Sequence, residues 1–330
     1  MDHKRLGRTG LKVSRLCLGT MTFGNQCDEA TSQAILDYAL DAGISFIDTA
    51  DIYPANGVPD LVGETENIIG RWMKSRREDV VLATKFWAPT GKNPWQGGSS
   101  RRNIQDSVED SLRRLQTDYI DLYQVHFPDY ETPIDETLGA LDDLVRQGKI
   151  LYAGCSNYPA WLLALTIGEA SKSETIRFDV VQPRYNLLFR QPERELFELC
   201  NFSDIGVIPY NPLAGGFLTG KHTRSGPEEG SRFTLQGGQG DRYLDRYWNE
   251  VMHDTVDALK PLANQAGITL AHLAIGWVLA NPAITSPIVG ATKPSQLDDA
   301  LNAIDAPLDA DLVHAVNEIT KIFRQGDDQR

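Results

Sequence analysis

Eight short, mostly apolar runs alternate with amphipathic helical patterns along the chain, and each ends on a polar or small residue at its C-terminal side. The runs are "LCLGT" from Leu16, "FIDT" from Phe46, "VVLATK" from Val80, "YIDLYQVH" from Tyr119, "ILYAGCS" from Ile150, "DVVQ" from Asp179, "IGVIPYN" from Ile205 and "AITSPIVG" from Ala283. Near-continuous apolar character means burial on both faces, as in a parallel sheet covered by helices. Between runs the helical spacing is direct: Ile104, Val108, Leu112 and Leu115 share one face, as do Ile134, Leu138, Leu141 and Val145. Asp28, Asn103 and Asp135 read as helix starts, and Gly43 and Gly148 as stops. Eight such units predict a (β/α)8 TIM barrel in one domain over residues 1–330. A doubly wound open sheet is the alternative, but its G-x-G-x-x-G fingerprint occurs nowhere. "HKRLGRTGLKVS" predicts an N-terminal β-hairpin plugging one end of the barrel. The stretch 222–246 reads as a long excursion after the seventh strand. The tail from Pro307, with Leu312, Val316 and Ile319 at helical spacing, predicts a C-terminal accessory helix.

Composition narrows the function. The net charge of -13 disfavours a nucleic-acid partner, because the surface repels phosphate. No apolar run of about 18 residues predicts a membrane span, and none near the N-terminus has signal-peptide length. The four cysteines, Cys17, Cys27, Cys155 and Cys200, are scattered without a C-x-x-C pair, as expected of reduced thiols in a cytoplasmic protein. No H-E-x-x-H and no G-x-S-x-G occurs, so metal chemistry and a serine nucleophile lack support.

"GGFLTGKHT" nearly spells a P-loop. Gly215, Gly220 and Lys221 keep the G-x-x-x-x-G-K spacing, but His222 stands where a magnesium-binding Ser or Thr belongs. The loop is therefore read as a phosphate cradle for a ligand that arrives without a metal.

In a barrel the C-terminal ends of all strands lie at one face, where active sites are built. Those ends are Thr20, Asp48, Lys85, His126, Ser156 with Asn157, Gln182, Tyr210 with Asn211, and Gly290. Tyr53 follows Asp48 in "DTADIY". A lysine ammonium beside a phenol lowers the phenol pKa, an aspartate holds the lysine charged, and a histidine can orient a substrate oxygen. Together these groups suit general acid assistance to a carbonyl taking up a hydride, which requires a cofactor because no side chain supplies one. Asp121 and Cys155 are expected to be structural, and Trp87 and Trp95 to be core or pocket wall.

The stretches "LGRTGLKVSRLCLGTMTFG", "DAGISFIDTADIY", "VLATKF", "SVEDSLRRLQTDYIDLYQVHFPD", "TLGALDDLVRQGKILYAGCSN", "VVQPRYNLL", "IPYNPLAGGFLTGK" and "PIVGATKPSQL" resemble, in order, the aldo-keto reductases of the bacterial type related to potassium-channel β-subunits. The resemblance implies a catalytic tetrad of Asp48, Tyr53, Lys85 and His126, with Tyr53 the proton donor. It implies NADPH/NADP+ as cofactor in preference to NADH, no metal, and a small carbonyl or alcohol substrate. Ser156, Asn157 and Gln182 would hold the carboxamide, Tyr210 would stack on the nicotinamide, and Gly19, Thr20 and Met21 would line it. Asn211, Pro212, Leu213, Gly215, Gly216, Leu218 and Lys221 would cradle the diphosphate, with Arg232 closing over it. Gly290, Ala291, Thr292, Lys293 and Gln296 would meet the adenosine end, and Phe23 and Trp87 the substrate. Many relatives carry an Arg at the position of Thr292 and an Asn at that of Ala300, while here Lys293 and Gln296 remain. "DIYPANGVPDLVGETE" is longer than the family's usual loop. A cofactor-binding regulatory subunit with incidental turnover is the alternative function, and a homo-oligomer is compatible with either.

Overall fold

The structure, a computed structural model, describes residues 1–54, 59–235 and 238–325. Residues 55–58, the tip of the segment read as an unusually long loop, lie outside the described residues. The chain opens with an antiparallel hairpin, β1 His3–Arg5 and β2 Lys12–Ser14. Eight strands follow: β3 Cys17–Gly19, β4 Phe46–Asp48, β5 Val81–Phe86, β6 Ile120–Val125, β7 Ile150–Ser156, β8 Val180–Gln182, β9 Gly206–Val207 and β10 Ile288–Gly290. They pair in parallel in the order β10-β3-β4-β5-β6-β7-β8-β9. Bridges from Val207 to Ile284 and from Tyr210 to Ile288 join the two ends of this ladder, so the sheet closes into a barrel.

The helices are α1 Glu29–Asp41, α2 Glu64–Met73, α3 Arg101–Leu115, α4 Ile134–Arg146, α5 Ala160–Lys172, α6 Leu196–Ser203, α7 Gln239–Tyr247, α8 Glu250–Gln265, α9 Leu270–Ala280, α10 Asp298–Asp305 and α11 Ala310–Thr320. The apolar faces read from spacing are the buried ones: Ile104, Val108, Leu112 and Leu115 of α3, and Leu138 and Leu141 of α4. No single helix among the described residues is long and apolar enough to cross a membrane.

The hairpin seals the bottom of the barrel. Leu6 and Val13 pack with Cys17, Phe46, Ala83, Leu122, Val180, Ile208 and Ile288 into one inner cluster. Gly7 makes this approach possible: it sits at φ +57, and a Cβ there would lie 2.6 Å from the Asp179 carbonyl oxygen. Two cations staple the hairpin region to the segment between α9 and β10. Lys4 Nζ donates to the carbonyls of Pro282 and Ile284, and Arg15 donates to those of Leu279, Ile284 and Thr285.

Several boundaries differ from expectation. Asp28 does cap α1, accepting from the Thr31 N–H at 2.8 Å, and Gly43 and Gly148 follow their helices at positive φ. Asn103 is not a cap: Ser100 caps α3, while the Asn103 side chain donates to the Gly98 carbonyl. Asp135 lies in the first turn of α4, after Pro133. The seventh and eighth strands are shorter than their apolar runs, because Pro209 and Pro287 lack the N–H that a ladder needs. The stretch 222–246 is not all loop. From Gln239 it is helical, because Tyr243 and Tyr247, four apart, give α7 a buried face that the Gly, Arg and Asp content obscured.

Candidate active site

Register brings the polar strand ends together. Gly19 pairs with Asp48 across β3 and β4, and β5 and β6 carry Lys85 and Gln124 side by side. Asp48 and Lys85 are buried and form an ion pair, with Lys85 Nζ 2.5 Å from Asp48 Oδ2 and 2.7 Å from the Thr49 carbonyl. Burial disfavours the lysine's charge, but the Asp48 carboxylate and the Tyr53 phenol outweigh it, and the Lys85 pKa is raised. The lysine is a fixed cation. Its Nζ lies 5.0 Å from the Tyr53 ring centre, and the Tyr53 and His126 rings meet edge to face at 5.8 Å. The four residues that strand ends suggested are thus one cluster.

One expectation about this cluster is corrected. Lys85 does pull the Tyr53 pKa down, but burial is the larger effect and Asp48 adds to it, so the phenol is raised above its usual value. Tyr53 therefore holds its proton across the neutral range. His126 moves the other way: burial and the charge of Lys85 depress its pKa well below the usual value, leaving a neutral imidazole whose Nδ1 has no protein partner. A neutral ring beside a protonated phenol can orient a substrate oxygen without competing as the acid.

The anchors of Asp48 include one residue that strand ends do not reveal. Asp48 Oδ1 accepts from Gln182 Nε2 at 2.9 Å and from Gln124 Nε2 at 3.1 Å. Gln182, expected to face a carboxamide, uses its amide N–H groups on Asp48 and Gln124. The signal for Gln124 was period two: it lies two residues before His126 on the same face of β6. Asp121, as expected, is structural, accepting from the Leu82 N–H and pairing with Arg77. Cys155 is buried in the core, and all four cysteines are unpaired.

Behind the site lies a second acidic pair. Glu66 is fully buried, held by Arg114 at 2.7 Å, Thr84 at 2.6 Å and Ser111 at 3.3 Å. Asp51 is also buried, and among the described residues neither of its carboxyl oxygens makes a hydrogen bond of good geometry, the Ile52 backbone N–H being the only hydrogen-bond donor that eases its charge. Burial first and Glu66 second push its pKa well above the carboxylate range, against the opposing charges of Arg114 and Lys85. A carboxyl group raised in the folded state stabilises the fold fully below its unfolded pKa, near ~4, and loses that contribution as pH rises. Asp51→Asn cannot titrate. Its unfolding free energy relative to wild type should therefore improve between pH 4.5 and pH 7.5, by on the order of 1 kcal/mol for each pH unit over which wild-type Asp51 stays protonated in the folded state alone. Parallel urea stability profiles for the two proteins would show that Asp51 does not carry this burden.

The expected cofactor residues line the same mouth. Ser156 Oγ donates to the Gln182 carbonyl, and Asn157, at φ 62, donates to Ser156 Oγ and to the His126 carbonyl. Tyr210 donates its hydroxyl to Asn157 Oδ1 at 2.8 Å. Thr20 is buried, its hydroxyl spent on the Asp48 carbonyl, while Gly19 and Met21 are half-buried. Asn211 Oδ1 accepts from the Gly215 N–H, which shapes the turn that follows Pro212 and Leu213. Gly215 and Gly216 have φ of 72 and 100, and Leu218 is buried beneath them. No helix opens on this loop. It is a 3-10 turn ending at Gly220, unlike the loop-to-helix junction of a P-loop. Arg232 donates to the Tyr243 hydroxyl, and its Nη2 would lie 3.2 Å from a Cβ on Gly290. A side chain at position 290 would press against the end of the Arg232 guanidinium. Ala291 is buried, Lys293 is exposed, and Gln296 turns back to accept from the Thr292 N–H and hydroxyl. Glycine backbone at positive φ, an arginine across Gly290 and a nearby lysine suit an extended anionic ligand.

On the substrate side, Trp87 stacks obliquely on Phe127 at 5.3 Å, and Phe127 lies on His126 at 5.1 Å. Trp87 is half-buried, at φ 126, with an indole N–H lacking a partner. Trp95 is instead exposed under Arg102. Phe23 is corrected: it is fully buried in the main core and supports the mouth from behind, offering no surface to a substrate. Phe127 and Tyr243 were not foreseen. The first sits one residue beyond a strand end, and the second on a helix hidden within the excursion. Among the described residues no cluster of three metal-ligating side chains occurs.

A closed parallel barrel with an aspartate, a lysine, a tyrosine and a histidine gathered at its C-terminal mouth defines an α/β-barrel protein with an active-site face at that end. The chain belongs to the aldo/keto reductase family, an oxidoreductase family whose model matches residues 15–321. It is 41% identical to the uncharacterized oxidoreductase YrpG of Bacillus subtilis, over 97% of this chain and 96% of that protein. It is 37% identical to a probable voltage-gated potassium channel subunit beta of Arabidopsis thaliana, over 92% of each. It is 33% identical to protein tas of Escherichia coli, over 98% of this chain and 99% of that protein.

Proposed function

We propose that the protein reduces an aldehyde or ketone to the alcohol, reversibly, with NADPH as the reductant and Tyr53 as the general acid. The observation that carries this reading is Lys85: buried, paired with Asp48 at 2.5 Å and 5.0 Å from the Tyr53 ring centre at the barrel mouth. When bound, the reduced nicotinamide supplies the hydride to the carbonyl carbon. The chain supplies the rest. His126 holds the carbonyl oxygen, and Trp87 and Phe127 wall the substrate away from water. Tyr53 gives its proton to the oxygen as negative charge develops there, and Lys85 stabilises the phenolate left behind. Asn157, Ser156 and Tyr210 position the nicotinamide, and Gly215, Gly216, Lys221 and Arg232 hold the diphosphate. A regulatory role is favoured only by the likeness to channel β-subunits; the complete tetrad favours turnover.

The test is a panel of aldehydes, ketones and alcohols assayed with NADPH and with NADH. Loss of NADPH absorbance with at least one carbonyl is expected, and none with any substrate would leave the regulatory reading. Cofactor preference has its own check. Lys293 is exposed, with no carboxylate in ion-pair range among the described residues, so it is available to the 2′-phosphate. Lys293→Ala should weaken NADPH binding by about tenfold, as loss of a charge-assisted hydrogen bond does, and leave NADH unchanged. Equal losses for both cofactors would assign the lysine a structural part.

A further inference from the structure

An outer helix of a barrel buries one face and turns a polar one to water, as α3 does with Arg102, Gln105, Asp106, Glu109 and Arg113. α5 is apolar on both faces. Leu162, Leu163, Thr166 and Ala170 pack inward, while Trp161, Ala164, Leu165 and Gly168 face solvent at the i, i+3, i+4 and i+7 spacing of one stripe. Trp161 is 59% and Leu165 53% exposed. Tyr130, 70% exposed, stacks on Trp161 with ring centres 6.5 Å apart. On the next helix, α6, Phe202 is 93% exposed. A continuous apolar patch of this kind marks a contact surface, in contrast to single exposed residues.

Three features say what covers it. The stripe is complementary to itself. A two-fold axis between Ala164 and Leu165 lays a second α5 antiparallel on the first, so Trp161 meets the partner's Gly168 and Leu165 meets the partner's Ala164. Each step sets a large side chain against a small one. The seat is open: a Cβ built on Gly168 meets no atom within 4 Å among the described residues.

The ends are complementary in charge. α5 begins after Pro159 with no side-chain cap and no acidic residue in its first turn, so its N–H groups are free to face an anion. The same pairing brings the partner's Glu169 to this end. The partner's Lys172, one turn further, comes to exposed Glu131, the residue after Tyr130. Glu169 and Lys172 are paired within their own helix at 3.1 Å, an exposed contact weak enough to be exchanged.

The area also fits. Trp161, Tyr130, Phe202 and Leu165 together expose on the order of 500 Å² per copy, taking about 150–250 Å² for a whole aromatic side chain. Doubled by the axis, this reaches the roughly 1,000 Å² that a specific interface needs. The net charge of -13 opposes an anionic lipid surface as the cover.

We propose that α5 is the contact face of a two-fold dimer of this chain, with Trp161 of each copy seated on Gly168 of the other. The face lies outside the barrel, so the proposal stands apart from the cofactor reading of the mouth.

Sedimentation equilibrium from about 1 to 200 µM should give a monomer–dimer equilibrium for the wild type, with a dissociation constant in the micromolar range. Leu165→Lys sets two like charges beside the axis and should stay monomeric throughout. Gly168→Gln fills the seat and should weaken association at least tenfold. Its urea midpoint should stay level or rise, because Gln favours a helix more than Gly does. Weaker association with an intact or firmer fold separates a lost contact from a damaged monomer. Glu131→Lys and Lys172→Glu should each weaken the dimer, and the two together should restore it. Wild type that is monomeric at the highest concentration overturns the proposal, and if it then binds phosphatidylcholine vesicles the stripe belongs to a lipid surface. A wild-type oligomer that Leu165→Lys and Gly168→Gln leave unchanged overturns it too. A charge-swapped double variant no better than either single variant overturns the antiparallel register.

Discussion

Tyr53→Phe is expected to slow hydride transfer by at least ~10²–10⁴, the usual worth of a general acid, while NADPH still binds. The substitution removes one oxygen. The backbone that places the ring is unaffected: the Tyr53 N–H donates to the Ala50 carbonyl, and the Tyr53 carbonyl accepts from Gly63 and Thr65. The proposed diphosphate cradle lies on segments after β9 and β10, which do not include this side chain. The direction of the Tyr53 pKa makes the test sharper. Burial raises it against the pull of Lys85, so the phenol stays protonated through neutral pH. Carbonyl reduction should hold its rate as pH rises toward that raised value and then fall. Alcohol oxidation, which needs the phenolate, should climb over the same range. Single-turnover hydride transfer measured in both directions gives both limbs. If Tyr53→Phe keeps near wild-type transfer, the proton comes from elsewhere, and His126 is the next donor to test.

Lys85→Met should be the most damaging single change to both stability and turnover. It strips the cation from a buried carboxylate and leaves Asp48 with only the amides of Gln124 and Gln182. Breaking a buried ion pair in this way costs about 3–5 kcal/mol. It also removes the charge that restrains the Tyr53 pKa, so any residual activity should show a further raised basic limb. The double change Lys85→Met with Asp48→Asn separates the two effects. Removing the stranded charge should recover much of the stability and none of the activity. Urea denaturation of wild type, both single variants and the double variant completes the cycle. A double variant no more stable than Lys85→Met alone would mean that the loss comes from packing around the lysine chain.

The barrel and its tetrad were legible because each rests on a pattern that burial imposes locally. A buried parallel strand must be apolar throughout, so the polar residue that ends it stands out, as Asp48, Lys85 and His126 do. What escaped notice depends on pairing across the fold. Gln124 sits inside an apolar run and acquires its task only when β4, β6 and β8 bring it beside Asp48 and Gln182. Tyr243 lies about ten residues beyond Arg232 in a polar stretch, and only folding of α7 brings its hydroxyl within 2.9 Å of the guanidinium. Burial has the same non-local character. The lysine effect on Tyr53 could be inferred from residue types, but the larger desolvation could not, because it is set by everything packed around the ring. The start of α3 was misplaced for a simpler reason. Ser100 and Asn103 are both good capping residues, and only the backbone path decides which one serves.

The two cations that tie the hairpin to the segment before β10 have a consequence for synthesis. Lys4 and Arg15 bond to carbonyls 264 to 280 residues later, and Cys17 of the first barrel strand takes the Pro287 carbonyl as a partner. The first strand therefore waits with one edge unpaired until β10, some 270 residues later, has left the ribosome. At about 5–20 residues per second that interval is on the order of ten seconds to a minute. An open strand edge held that long is a template for pairing with another nascent chain. Expression yield should accordingly be more sensitive to temperature and chaperone supply than the stability of the finished barrel would suggest.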